Sequence, residues 1–117
     1  MKIESLVPLS EATAYILLAL GEERHGYVIM QVVEVLSGGS VSIGPGTLYG
    51  ALSTMEAQKL VEQTRTEGRR KYYRRLPAGD EILAMQTGRY QRFLDACVQE
   101  AARQAQAWTE GGRHEAT

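Results

Sequence analysis

The sequence has a single cysteine, Cys97, among its 117 residues. One thiol excludes an intrachain disulfide, a zinc ribbon and a Cys-x-x-Cys redox pair. Aromatic residues are also scarce, at 7% of the chain, and most of them are tyrosines. We therefore expect a mostly aliphatic core, with tyrosine hydroxyl groups near surfaces or interfaces.

Long hydrophobic runs are missing too. The longest, from Ala14 to Leu20, is far shorter than the roughly 20 apolar residues that cross a bilayer. The first residues include Lys2 and Glu4 and lack the apolar segment and cleavage pattern of a signal peptide. These features predict a cytoplasmic protein with no membrane partner.

The remaining composition is that of a folded globular domain. Hydrophobic residues make up 44% and charged residues 23% of the chain, which is close to the average for folded proteins. The length suits one domain with one core.

Basic residues are concentrated in one stretch. Between Lys59 and Arg75, seven bases stand against two acids, a net +5 in a chain whose total is -1. A basic block inside an otherwise acidic sequence is typical of a phosphate-binding face, but basic runs also occur as exposed strand ends. The position of the block in the fold has to distinguish these interpretations.

Apolar residues repeat with the helical period in three short segments. Ser10 can cap the first segment, two glycines stop the second, and Pro45 suits the first turn of the third. The predicted helices cover 10–20, 27–37 and 45–59. A polar turn is expected over 21–26, and a very short strand over Val41 to Ile43.

After Lys59 the pattern alternates with the period of a strand. Leu60 to Thr66 and Arg70 to Leu76, separated by a turn over 67–69, are predicted to form an antiparallel hairpin. The tip of this hairpin is basic.

From Ala78 to about Trp108 the pattern is helical again. At about 1.5 Å per residue such a helix is about 45 Å long, more than its own domain can cover, so its apolar stripe should pack on a second copy of the chain. The residues assigned to this homodimer interface, or to a small hydrophobic effector bound there, are Tyr15, Met85, Tyr90, Phe93, Leu94, Cys97, Val98, Ala101 and Trp108. For Cys97 a buried hydrophobic role is expected before a redox role.

The order of these elements predicts a mostly α (α+β) fold: a winged helix-turn-helix domain with a long C-terminal dimerisation helix. We expect residues 1–76 to form the winged domain, 77–108 the dimerisation helix and 109–117 a disordered tail.

Four stretches also resemble PadR-type transcriptional regulators, in the smaller of that family's two size classes. They are Ser10-Glu11-Ala12-Thr13, His25-Gly26-Tyr27, Gly44-Pro45-Gly46-Thr47-Leu48-Tyr49-Gly50-Ala51-Leu52 and Gly68-Arg69-Arg70-Lys71-Tyr72-Tyr73-Arg74. The resemblance implies a homodimeric repressor that binds an imperfect palindrome in double-stranded DNA and that a small molecule often releases. The sequence departs from the family over 75–79, where the threonine that usually caps the final helix is missing.

Candidate DNA contacts lie on the third helix and the hairpin. With the apolar residues of the third helix buried, its opposite face offers hydroxyl groups that can bind phosphates or base edges and glycines that permit close approach. The assigned contacts are Pro45, Gly46, Thr47, Tyr49, Gly50 and Ser53 on the helix and Arg69, Arg70, Lys71, Tyr72 and Tyr73 on the wing. Because neighbouring strand residues face opposite sides, one of Tyr72 and Tyr73 should belong to the core.

Two other classes of protein remain to be weighed. A winged-helix protein-interaction module would bind DNA weakly or not at all, and a strong salt dependence of DNA binding separates the two interpretations. An enzyme is disfavoured, because the sequence shows no nucleophile beside a base, no paired carboxylates at a glycine-rich loop and no metal-ligand spacing. No cofactor and no metal are predicted.

Overall fold

The protein, here a computed structural model, is described over residues 2–116 and, for side chains, over residues 2–110. A short 3-10 helix (Ile3–Leu6) precedes α1 (Glu11–Ala19), β1 (Arg24–His25), α2 (Gly26–Leu36), α3 (Pro45–Ala57), β2 (Val61–Glu67), β3 (Arg70–Arg75) and α4 (Pro77–Ala116). The strands form one antiparallel sheet in the order β1-β3-β2. The predicted winged helix-turn-helix fold with a long final helix is confirmed.

The core is aliphatic, as the composition predicts. Each of the first three helices contributes the face on which its apolar residues recur, and the sheet adds residues from β2 and β3. The largest fully buried side chains are Ile16, Leu17, Leu20, Ile29, Val33, Leu48, Leu52, Met55, Leu60, Val61 and Ile82. Ser10 begins α1 as predicted, because its Oγ accepts a hydrogen bond from the Thr13 amide at 3.1 Å.

Two short segments differ from expectation. Residues 24–25, predicted to lie in a turn, form β1 because Arg24 and His25 pair with Tyr73 and Tyr72 of β3. The strand expected over Val41 to Ile43 is irregular instead. The Val41 amide donates to the Ser37 hydroxyl at 3.0 Å, so its backbone is satisfied locally rather than by a neighbouring strand.

Helix α4 begins without a threonine cap. Pro77 occupies its first position, where the missing amide proton costs nothing, and the Asp80 amide donates to the Leu76 carbonyl at 3.1 Å. The helix runs to Ala116 rather than ending near Trp108, so residues 109–116, expected to be disordered, are helical. Two glycines in this stretch each cost about 1 kcal/mol relative to alanine, which weakens a helix without stopping it. Thr117 lies outside the described residues.

The chain divides into two compact units, one up to Gln86 and one from Thr87 onward. The first unit thus continues ten residues past the boundary expected after residue 76. The reason is that the first turns of α4 take part in the core: Gly79 lies against the Leu60 carbonyl, and Ile82 is fully buried. The buried Gln86 side chain accepts a hydrogen bond from the Leu9 amide at 2.8 Å, which holds the N-terminal segment.

Helices α2 and α3 end in the same hydrogen-bonded motif. After α2, the amides of Gly39 and Gly38 donate to Glu34 and Val35, and Gly38 has a φ of 62°. After α3, the amides of Leu60 and Lys59 donate in the same way to Met55 and Glu56. Lys59 has a φ of 61°, a left-handed conformation that favours glycine.

Replacing Lys59 with glycine should stabilise the protein by about 1 kcal/mol, because glycine adopts a positive φ without the Cβ clash that lysine incurs. The midpoint of urea unfolding measures the change. Lys59→Ala removes the same charge but keeps Cβ, so it should give no such gain. Equal midpoints for the two variants would contradict the assignment of strain to this residue.

Candidate nucleic-acid interface

Helix α3 presents a polar face to solvent. Leu48, Leu52 and Met55 are buried on one side, as their spacing predicts. The predicted DNA contacts Pro45, Gly46, Thr47, Tyr49, Gly50 and Ser53 are all exposed. Gly44 offers no side-chain cap, so the first amides of α3 remain available at the positive end of the helix dipole.

The glycines of α3 are not required by packing within the described chain. A Cβ added at Gly44, Gly46 or Gly50 would meet no heavy atom within 4 Å. None of the three has a positive φ. These positions therefore do not need glycine for a tight turn, which favours the interpretation that their small size serves an external partner.

Tyr49 has a second role beside the predicted DNA contact. Its side chain is 43% exposed, but the phenol end lies directly against Gly26 at the start of α2. A Cβ at Gly26 would collide with the Tyr49 hydroxyl and come within 3.3 Å of Leu48 Cδ2. Tyr49 thus also packs on the start of α2.

The wing is a hairpin with a two-residue turn. Glu67 pairs with Arg70, and Gly68, with a φ of 60°, and Arg69 form the turn between them. A bulge between Gln63 and Arg65 shifts the alternation of β2 by one residue. Val61 is therefore buried while Arg65 is exposed on the opposite face.

Register decides between the two tyrosines of β3. Tyr73 is only 5% exposed and belongs to the core, where burial raises the pKa of its phenol. The prediction that Tyr73 contacts DNA is therefore wrong, because its side chain is buried in the folded chain. Tyr72 lies on the outer face, half-buried, and its hydroxyl donates to Glu67 Oε2 at 3.3 Å.

Much of the basic block is neutralised within the fold. Arg74 pairs with Glu62 at 2.6 Å, Arg75 with Asp80 at 2.5 Å, and Arg65 pairs with two carboxylates described below. Arg69, Arg70 and Lys71 are exposed and make no ion pair with any residue whose side chain is described. The charge available for phosphate is thus concentrated at the tip of the wing.

The residues predicted for a dimer interface or effector fall into two groups. Tyr15 and Met85 are half-buried and pack against the core of the first unit. The others are exposed on α4: Tyr90, Phe93, Leu94, Cys97, Val98, Ala101 and Trp108. Cys97 is exposed in the single chain, and its burial in a homodimer interface stays a prediction. An effector site at these residues stays a prediction.

Metal-ligand clusters and membrane-spanning helices are both absent from the part of the chain that the structure describes. In residues 2–110, no three histidine, cysteine or acidic side chains come together as metal ligands would. Within the described chain, no helix combines the length and apolar character that a membrane span needs.

Helices α2 and α3 form a helix-turn-helix, α3 presents an exposed polar face, and the wing carries cations that make no ion pair within the described residues. This arrangement is typical of winged-helix DNA-binding proteins. Residues 4–85 match the transcriptional regulator PadR-like family, and the chain belongs to that family. Members of this family are transcriptional regulators rather than enzymes.

One curated relative is an uncharacterized 37.1 kDa protein in transposon Tn4556 of Streptomyces fradiae. It is 40% identical over 75 residues, which are 63% of this chain and 21% of that protein. The chain therefore spans about a fifth of the length of the curated relative it matches.

Solved structures show the same fold at low identity. A PadR-like transcription factor from Bacteroides fragilis superposes with a TM-score of 0.65 at 20% identity, covering 83% of this chain and 96% of the other. A transcriptional regulator from Clostridium thermocellum gives 0.64 at 21% identity, with 83% and 94% covered. RosR of H. salinarum gives 0.61 at 23% identity, with 83% and 97% covered.

The sequence did not predict the residues that pack against or pair with the candidate DNA-binding residues. Gly26 belongs to the stretch His25-Gly26-Tyr27, which resembles the family, yet its contact with Tyr49 depends on the packing of α2 on α3. Glu23 lies in a turn 42 positions from Arg65, with which it pairs. No local pattern reports a contact of that kind.

Gly50→Ala should leave the free protein folded, and alanine's higher helix propensity should stabilise α3 by about 1 kcal/mol if nothing else changes. DNA binding should nevertheless weaken, because the added methyl group occupies the surface that we expect DNA to approach. Thermal unfolding and fluorescence anisotropy on the same samples measure the two effects. Gly21→Ala, in the turn after α1, is the matched control and should leave DNA affinity unchanged. An unchanged DNA affinity of the Gly50 variant would contradict the prediction that DNA closely approaches this position.

Proposed function

We propose that the chain is a homodimeric, sequence-specific DNA-binding repressor. Each subunit inserts α3 into the major groove of one half of a palindromic operator and lays the wing tip on the neighbouring backbone. The α4 helices of the two subunits pair and set the separation of the half-sites.

The observation that carries this proposal is the pairing pattern of the wing. Arg65, Arg74 and Arg75 are engaged by acidic side chains, whereas Arg69, Arg70 and Lys71 at the tip have no such partner in the described part of the chain. A polar helix face together with exposed cations on the wing supplies the groups that contacts to bases and phosphates require.

The exposed faces of α3 and α4 support different parts of the mechanism. Thr47 and Ser53 give α3 hydroxyl donors, but its exposed face has no arginine for bidentate contacts to guanine. We therefore infer that DNA shape contributes part of the specificity. On α4, Phe93 and Trp108 are 70% and 75% exposed, an apolar surface that a second subunit would cover.

Arg70→Ala combined with Lys71→Ala should weaken binding to all DNA sequences and flatten the dependence of log affinity on log salt by about 0.9 per lost phosphate contact. Fluorescence anisotropy against the DNA upstream of the gene and a scrambled duplex, across a salt series, measures both quantities. Arg74→Ala is the matched control: it removes a wing cation that already pairs with Glu62, so the slope should stay near that of the parent.

The same titrations decide whether the proposal holds. Tighter binding to upstream DNA with a steep slope on both duplexes supports a regulator that recognises an operator. Feeble, equal and salt-insensitive binding by the parent protein would instead favour the protein-interaction module. An unchanged salt slope in the double variant would contradict phosphate contacts by Arg70 and Lys71 at the wing tip.

Phe93→Glu should convert the dimer to a monomer, because it places a charge on the exposed apolar face of α4. Sedimentation velocity measures the mass directly. Gln99→Glu adds the same charge on the opposite side of the helix, where a dimer contact is not expected, and should leave the mass unchanged. A monomeric parent protein at micromolar concentration would contradict the homodimer.

A further inference from the structure

Three side chains form a row across the outer face of the sheet. His25 on β1 and Arg65 on β2 are both register partners of Tyr72 on the central strand β3. The His25 ring meets the Tyr72 ring edge to face, with centroids 5.2 Å apart. The Arg65 guanidinium lies over the same ring, 3.9 Å from its centroid.

The Arg65 guanidinium is also held at both ends by carboxylates. Its Nε donates to Glu23 Oε1 at 2.7 Å, and its Nη1 pairs with Glu67. The hydrogen bond from Arg65 lowers the pKa of Glu23, and the same bond raises the pKa of Arg65. Glu67 in turn accepts from the Tyr72 hydroxyl. We call Glu23, Arg65, Glu67 and Tyr72 the wing brace.

The wing brace joins parts of the chain that the backbone connects weakly. Glu23 precedes β1, whereas Arg65 lies on β2 at the far side of β3. The backbone pairing of β1 with β3 covers only two residues. The Glu23–Arg65 contact therefore spans the full width of the sheet and ties the outer half of the hairpin to the turn that follows α1.

We infer that Arg65 is a positioning residue and not a phosphate contact. Through Glu23 it fixes the orientation of the wing, so that Arg69, Arg70 and Lys71 reach the DNA backbone while α3 occupies the groove. This inference rests on the proposed function. This role explains why Arg65, midway along β2, pairs with two acidic side chains, whereas the cations at the wing tip do not within the described residues.

The sign of the Glu23→Gln effect distinguishes this role from simple charge masking. If Glu23 only masked Arg65, its removal would free a cation, tighten DNA binding and steepen the salt slope. If the contact positions the wing, Glu23→Gln weakens binding by about threefold per wing, although a negative charge has been removed near DNA. The salt slope then stays at the value of the parent.

Glu22→Gln provides the matched control. It makes the same charge change one residue earlier, at a side chain that faces Arg24 at 3.6 Å and does not reach the wing. Its operator affinity should equal or slightly exceed that of the parent. In the free protein, nuclear relaxation of the wing amides over 66–70 should show greater mobility for Glu23→Gln and no change for Glu22→Gln.

A double-mutant cycle completes the test. Arg65→Gln should bind at least as weakly as Glu23→Gln, because it also removes the contacts with Glu67 and the Tyr72 ring. Adding Glu23→Gln to Arg65→Gln should then weaken binding no further, because the contact between the two residues is already lost. Tighter binding by Glu23→Gln, or a slope reduced by about 0.9 per subunit in Arg65→Gln, would overturn the inference and make Arg65 a phosphate contact. Absence of specific, salt-dependent binding by the parent protein would instead be a failure of the proposed function.

Discussion

The Arg75 side chain joins three elements on which the rest of the winged unit depends. Its Nη1 donates to the Leu17 carbonyl at 2.9 Å at the end of α1, and its Nε donates to Asp80 in the first turn of α4. Its amide donates to the Leu20 carbonyl. The end of a helix leaves carbonyls without partners, and a half-buried guanidinium can satisfy several of them at once. The last residue of β3 thereby fixes both the helix before the sheet and the helix after it.

The elements that sequence reasoning located correctly are those with a strong local signal. The periodicity and the Pro45 start define α3, and the alternation on either side of a Gly-containing turn defines the wing. Strand β1 was not predicted, because two residues are too few to show a periodic pattern. They form a strand because they pair with the backbone of β3. Val41 shows the converse, since its alternating neighbours have no strand to pair with and the Ser37 hydroxyl takes up its amide.

The candidate site divides in the same way. The exposed face of α3 follows from the helical period, so its residues could be named in advance. The sequence could not predict which basic residues of the wing form ion pairs and which stay available to DNA. The pairing of Arg65 with Glu23 depends on sheet order, and that of Arg74 with Glu62 depends on cross-strand register. The bulge in β2 is likewise set by tertiary packing, and it decides which residues of that strand face outward.

Gly26 and Tyr49 belong to different helices but constrain each other as one unit. Here the helix Pro45–Ala57 constrains its neighbour, because the Tyr49 phenol occupies the space that a side chain at the start of α2 would need. In a chimera that receives this helix on a scaffold with alanine or serine at the position of Gly26, either the Tyr49 side chain or the helix would have to move. New specificities built on this frame would therefore have to exchange the two positions together.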